Sequence, residues 1–531
     1  MTIQAVHILQ KNTTSNPCYK MTDIYLRTKQ FFLTAAAAML LTACGNTFTA
    51  DTKEGVEMTF CVNDNVEKNC EVGTGSQRKA AIGDYRGHIT IPSSANDYFV
   101  NAVGDYAFLS CEGLTSVTIP ASIERLGNEA FANCEKLKTV TIPSRVKTIG
   151  YGVFMGCKDL QSVKVRCRMD TISDYLFQGC ANMPTFAIQE TVKVIGDYAF
   201  KDCISLDSIT LPKGVTVIGI EAFHGCKSLS SIIIPEGVVS IGDGAFGDCT
   251  RLTSIHIPAS VKHIGTGAFQ GCSNLISITV DEKNPSYDSR QGCNAIVDKA
   301  SESIIQGCRK TRFPSNVFTI GDKAFCGTEG LESINIPVGM TTIGDFAFAF
   351  CPNLRSVSIS SSVTSLGECP FVGCPSLVNI SVNTENPVFD SHGQCDAIVE
   401  TLSNTLLVGC RNTSIPSVVT KIGKNAFSAC YGLTSIRLHE GIKAIGERAF
   451  SECRDLKNVY LPSSITSIGE MAFSLCKNLE TVEVRMRKPT SIDENTFNDT
   501  PKRRLVVPRG CKQVYETVSF WNDFSVIEER K

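Results

Sequence analysis

Apolar positions return along most of this chain in one fixed order. Phe108, Phe131, Phe154, Phe177, Phe200, Phe223, Phe246 and Phe269 each follow the last by 23 residues. The series resumes at Phe325, Phe348 and Phe371, then at Phe427, Phe450 and Phe473, with the same step, and Phe497 comes one residue late. The two gaps between runs are both 56 residues, so a block of 102 residues, one long unit and two short ones, is duplicated. A period of this length marks an array of stacked repeats rather than a set of independent domains.

Around each Phe the pattern reads I-G-x-x-A-F-x-x-C-x-x-L-x-x-I-x-I-P. One clean copy is Ile241-Gly242, Ala245-Phe246, Cys249, Leu252, Ile255 and Ile257-Pro258. The alternation in L-x-x-I-x-I predicts a half-buried strand. Proline ends that strand, and the glycine suits a tight turn. Each unit is therefore one strand, a turn and a compact return segment carrying the Phe. A unit so short cannot bury its apolar face alone, whereas stacked units share one continuous core. The predicted fold class is a repeat solenoid over residues 101–500.

The open ends of a solenoid need caps. Residues 56–100 are assigned to an N-terminal hairpin cap and residues 501–531 to a C-terminal cap. In the latter, Trp521 with Tyr515, Phe520 and Phe524 is expected to seal the last coil. The two long repeats carry matching inserts at 284–308 and 386–410. Each has two apolar runs around a polar centre, which predicts a β-hairpin. Two readings of these hairpins stay open, a structural bulge on the rim and a projecting contact element. Before the cap, Phe31 to Ala43 forms an apolar run of signal-peptide length, preceded by Arg27 and Lys29. Leu41-Thr42-Ala43-Cys44 follows the pattern of a bacterial lipobox, which makes Cys44 the expected lipidated first residue of the mature chain. Residues 1–43 are thus assigned to a signal peptide, with Met21 a better start than Met1, and residues 44–55 to a polar tether.

Composition narrows the chemistry. Of 531 residues, 51 are Lys or Arg and 53 are Asp or Glu, with no polybasic run, so nucleic-acid binding has no electrostatic basis. Gly242 to Gly247 satisfies G-x-G-x-x-G, but these glycines fall inside the repeat and lack the βαβ setting a dinucleotide needs. Cysteine stands three residues after Phe in most units, from Cys111 to Cys476. Cysteine zinc sites need clustered pairs such as C-x-x-C, and none occurs. A core ladder of reduced, buried thiols is expected instead. Three pairs remain candidates for disulfides: Cys61–Cys70, Cys293–Cys308 and Cys395–Cys410. No set of nucleophile, base and orienter assembles. The protein is read as a non-enzyme with no catalytic residue, metal or cofactor.

The 23-residue period, the I-G-x-x-A-F-x-x-C core and the L-x-x-I-x-I-P strand together resemble the BspA-like bacterial leucine-rich repeat family. Local departures are Ser173 and Asp493 at the glycine, Thr328 and Thr500 at the cysteine, and Pro370 and Thr496 at the alanine. The resemblance implies a leucine-rich-repeat-like right-handed coil. Its parallel β-sheet would lie on the concave face, with short irregular or helical return segments. It also implies display on the cell surface or outer membrane and binding to a host matrix protein, a cell-surface protein or a glycan. The competing reading is an envelope spacer without a specific ligand. Within each strand, two rows point out of the core. The row eight residues after Phe is Ser or Thr in most coils and is read as a structural hydroxyl ladder. The row ten residues after Phe varies, as a recognition surface must. His256, Arg437 and Tyr460 in that row are the candidate ligand contacts.

Overall fold

The computed structural model describes residues 46–74, 86–500 and 503–530. The leader, its lipobox and Cys44 lie outside the described residues.

The chain is a β-solenoid of parallel coils with almost no helix. Most coils contribute to two ladders where the sequence pattern showed one, although the coils of Phe177, Phe200 and Phe223 form no long strand. The expected ladder is formed by the L-x-x-I-x-I stretch. Ser254–Ile257 pairs in parallel with Ser277–Val280, and Ile255 stands opposite Ile278. The second ladder is built from the residues just before the I-G glycine. Val194–Ile195 pairs with Val217–Ile218, which pairs with Ser240–Ile241. Both ladders are in register by one repeat, so like residues stack on like. Two-residue strands give too little alternation to be recognised as strands from sequence.

The glycine has a different job from the tight turn expected of it. A Cβ at Gly242 would lie 2.6 Å from the Gly219 carbonyl carbon, in the preceding coil. Close approach of neighbouring coils, not positive φ, excludes a side chain there. The left-handed positions fall later in the turn. They are filled by glycine in some coils (Gly152, Gly244) and by larger residues in others, such as Tyr175 and Tyr198, both at φ 59°.

Inside, the phenylalanines form columns. Phe108 and Phe131 stack with centroids 5.0 Å apart, and Phe200 and Phe223 at 5.3 Å. Each ring is almost wholly buried, contributing about 1.5–3 kcal/mol from area alone. The column breaks after Phe269 and after Phe371, where the inserts enter. There the following ring packs against a glycine of the insert: a Cβ on Gly307 would lie 2.2 Å from Phe325, and one on Gly409 would lie 2.2 Å from Phe427.

Both inserts are antiparallel hairpins whose second strand joins the parallel ladder. Ile398 pairs with Val408 across the second hairpin, and Leu406 then pairs with Ile422 of the next coil. The first does the same through Val297, Ile304 and Ile320. Their bases are core, with Ile296, Ile304, Ala397 and Leu406 fully buried or nearly so. Only a tip projects, where Leu402 is 95% exposed. A buried asparagine anchors each insert to the coil before it. Asn284 Nδ2 donates to the carbonyls of Pro258 and Val261 at 2.7 and 3.0 Å, and Asn386 Nδ2 to those of Ser360 and Val363 at 2.8 and 2.9 Å.

Three expectations need correction. Cys293, Cys308, Cys395 and Cys410 are all free thiols, so neither hairpin is bridged, and Cys70 is free, so Cys61–Cys70 is not a disulfide. In the hairpins each thiol has a local partner instead: Cys410 Sγ donates to the Asp396 carbonyl at 3.4 Å, for example. The stretch assigned to a tether contains a strand. Thr47–Asp51 pairs antiparallel with Glu57–Asp64, which pairs with Asn69–Val72. The latter joins the coil ladder in parallel through Tyr98–Val103. At the other end, Trp521 and Phe524 meet the Phe497 ring edge-on. The Trp521 indole N–H donates to the Thr490 carbonyl at 2.8 Å and the Tyr515 hydroxyl to that of Met486 at 2.8 Å. The indole and the phenol are thus both paired where these aromatic groups close the last coil.

If the ring of Phe427 rests on Gly409 as described, Gly409→Ala should destabilise the protein by about 1–3 kcal/mol through overpacking. Gly393→Ala, where no atom lies within 4 Å of the added Cβ, carries only the smaller cost of its positive φ. Urea unfolding of the two variants checks this. Equal midpoints would contradict the packing described.

Candidate functional site

The surface available to a partner is set by the coil's own chemistry. The cysteine that follows each Phe does more than fill space. Its S–H donates to the Phe carbonyl of the preceding coil, at 3.0–3.2 Å, from Cys134 to Cys272, at Cys351 and Cys374, and at Cys453 and Cys476. A second set of bonds was also missed. The Asp or Asn after the glycine accepts the backbone N–H one repeat on. Asp174 receives Asp197 N at 2.9 Å, Asp197 receives Ile220 N at 2.7 Å, and Asp243 receives Thr266 N at 2.7 Å. The signal was present as a recurrent acidic residue after I-G. Its meaning needed the coil register.

With these groups committed to stacking, the outward positions of the long strands remain for recognition. Ser254 and His256 are exposed while Ile255 and Ile257 are buried, as the alternation predicted. The Ser/Thr row does not form the hydroxyl ladder expected of it. Its members, such as Ser231, Ser254 and Ser277, are exposed and do not bond to one another among the described residues. The row ten residues after Phe carries the chemical variety, including Ile233 at 83% exposure.

The three candidate contacts fall at two places. Arg437 and Tyr460 are paired directly across neighbouring strands, Tyr460 being followed by Glu483 in the same register. The Arg437 guanidinium lies 3.9 Å over the Tyr460 ring centroid, a cation–π contact. Glu483 is paired with Arg530 of the C-terminal cap at 3.8 Å. Arg437, Tyr460, Glu483, Glu440 and Arg485 border a shallow recess of about 360 Å³. His256 stands apart, many coils away, with its Nδ1 2.9 Å from the Thr279 hydroxyl. The structure therefore unites two of the three and leaves the third in a different setting.

The family pattern described as BspA type Leucine rich repeat region matches residues 101–219, 193–291, 301–392 and 403–526. The chain belongs to the BspA-type leucine-rich repeat family. Among solved structures, this BspA-type chain is similar to a leucine rich cell surface protein from Faecalibacterium prausnitzii A2-165, with 28% identity, 84% of this chain and 96% of that chain covered, and a TM-score of 0.45. It is also similar to a leucine-rich repeat protein from Bacteroides ovatus ATCC 8483, with 26% identity, coverage of 86% and 99%, and a TM-score of 0.40. The pneumococcal vaccine antigen PcpA aligns at 18% identity over 91% of this chain and 99% of that one, with a TM-score of 0.33. No protein of curated function matches the chain. Among the described residues, no helix is long and apolar enough to cross a membrane.

The thiols of this BspA-type solenoid give its stability a characteristic pH dependence. Burial pushes the Cys157 and Cys476 thiols from the ordinary 9.0 up to about 12, and raises those of Cys180, Cys226 and Cys453 as well. Unfolded thiols ionise near 9.0 while the folded ones stay protonated. Their contribution is therefore fully present below 9.0 and is lost as pH rises from there towards 12, at about 1.4 kcal/mol per pH unit for each thiol. The urea midpoint is expected to fall steeply between pH 8.5 and 10. A midpoint constant over that range would show that the thiols are not held protonated by the fold.

Proposed function

We propose that this protein is an envelope or cell-surface binding module, anchored through a lipid on Cys44. It engages a host matrix protein, a cell-surface protein or a glycan with the outward face of its long strands. The order of Arg27, Lys29, the apolar run and Leu41 to Cys44 supports export and anchoring. The observation that carries the binding reading is the Arg437 guanidinium placed 3.9 Å over the Tyr460 ring centroid beside a recess of about 360 Å³. Arginine and tyrosine are the residue types that dominate recognition energetics. A stacked pair on two hydrogen-bonded strands presents them with little conformational freedom left to lose. The acidic residues Glu440 and Glu483 at the rim add polar specificity, and the rigid ladder below fixes all of them.

The test is a panel of immobilised matrix proteins and glycans probed with the purified chain and with intact cells. Once a ligand is found, the double variant Arg437→Ala/Tyr460→Ala should weaken binding by tenfold or more. Its stability should fall by only about 1 kcal/mol, the scale of an exposed cation–π contact. Leu402→Ser, at the exposed tip of the second hairpin, should leave binding unchanged. If the double variant binds normally and Leu402→Ser does not, the hairpin tip is the contact surface and this assignment is wrong. Failure to bind any partner would favour a spacer role.

A further inference from the structure

We propose that Glu236, His256 and Asp281 form a binding site for a divalent transition cation of the zinc class on the outward face of the solenoid. The three come from three successive coils at different offsets. Glu236 follows Pro235 in one coil, His256 stands within the long strand of the next, and Asp281 directly follows the long strand of the third. No spacing motif connects them, so only the coil register brings them together. One ligand atom from each lies within 4.8 Å of the other two. A zinc ion holds nitrogen and oxygen donors at about 2.0–2.2 Å, so donors up to about 4 Å apart share one ion. Small side-chain rotations close the set.

Charge supports the same reading. At other places on this solenoid where two carboxylates converge, a basic side chain lies between them: Lys424 Nζ is 3.2 Å from Glu368 and 3.4 Å from Glu447, and Arg125 bridges Glu71 and Asp105. Among the described residues neither Glu236 nor Asp281 is paired with a Lys or Arg, and the side chain that joins them is an imidazole. A cation there supplies the positive charge that Lys424 and Arg125 supply at the other places. The ligands are also oriented from outside the set. The Thr279 hydroxyl lies 2.9 Å from His256 Nδ1, and with Nδ1–H donating to it, Nε2 keeps its lone pair. Asp281 Oδ1 accepts the Lys283 N–H at 2.8 Å, leaving the other oxygen free. One imidazole with two carboxylates suits zinc or a neighbouring transition ion better than calcium, which takes oxygen ligands throughout. Three protein ligands on a tetrahedral ion leave a fourth position for water or for an oxygen of a bound molecule. This inference does not depend on the partner reading above, since the cation is its own ligand.

The experiment titrates Zn²⁺ calorimetrically into the full chain after chelator treatment, and records the visible spectrum with Co²⁺ in its place. One equivalent of Zn²⁺ should bind, and His256→Ala, Glu236→Gln and Asp281→Asn should each weaken it by about tenfold or more. His263→Ala, an exposed histidine outside the set, should bind as the unaltered chain does. The Co²⁺ spectrum should show d–d bands without thiolate charge transfer. Absence of binding, undiminished binding in His256→Ala, equal loss in His263→Ala, or a thiolate band would each overturn the proposal. The thermal midpoints of the variants without metal report folding, so loss of the site is not confused with loss of the coil.

Discussion

Within the unbroken runs of repeats, most coils are tied to their neighbours at the buried phenylalanine by two hydrogen bonds and a ring stack that share one register. The backbone N–H of Phe200 donates to the Ala222 carbonyl at 2.8 Å, its carbonyl receives Cys226 Sγ at 3.2 Å, and its ring stacks on Phe223 at 5.3 Å. All three require that the next coil place its Ala, Cys and Phe at the same height. A repeat of constant length is the only covalent way to meet that demand many times over. The other features follow from the spacing this sets. The I-G glycine has no room for a Cβ, the Asp or Asn after it caps the backbone of the adjoining coil, and the cysteines sit too far inside to ionise.

Because the demand is periodic, most of the architecture was legible in the sequence. Period, stacking, the long strand and its inward and outward faces could all be read from Phe, Ile and Pro positions. The second ladder could not, because pairs such as Val194–Ile195 are too short to show alternation. The role of Gly242 was misread, and the hydrogen bond of the buried thiol at Cys203 was not foreseen, for a related reason. A tight turn and an apolar filler are what those residues signify within one repeat, whereas here each acts on a neighbouring coil. Cysteine is suited to its place. A serine hydroxyl would make a stronger hydrogen bond but cost more to remove from water, and its smaller oxygen would fill the core less well.

The inserts show how the solenoid absorbs an irregular length. The added residues form a hairpin whose return strand replaces the short I-G strand of an ordinary coil, so that Leu406 meets Ile422 as Ile422 meets Ile445. A glycine substitutes for the missing ring, and Asn386 takes over hydrogen bonds that the strand end would otherwise leave open. Nothing in the insert's composition distinguished a projecting element from an integrated one. The deciding interactions are with coils on either side, to which a local pattern is blind. The same holds for the candidate sites. Arg437 and Tyr460 were recognisable individually as variable outward residues. Their stacking, and the convergence of Glu236 and Asp281 on His256, depend on side chains from different coils.

The solenoid depends on coil register, and deletion of a whole period tests that dependence most directly. Removing residues 224–246 joins Phe223 to Gly247 and keeps each later Phe, Cys and Gly in step. Removing residues 224–235 takes out about half a coil and moves every later residue out of step. Far-ultraviolet circular dichroism and urea unfolding of the two proteins distinguish the cases. The full-period deletion should give a folded chain with an unchanged β signature and a cooperative transition, slightly less stable for the loss of one coil. The half-period deletion should lose cooperativity. If both deletions fold equally well, or if both fail, stacking in register at the phenylalanine is not what holds the molecule together.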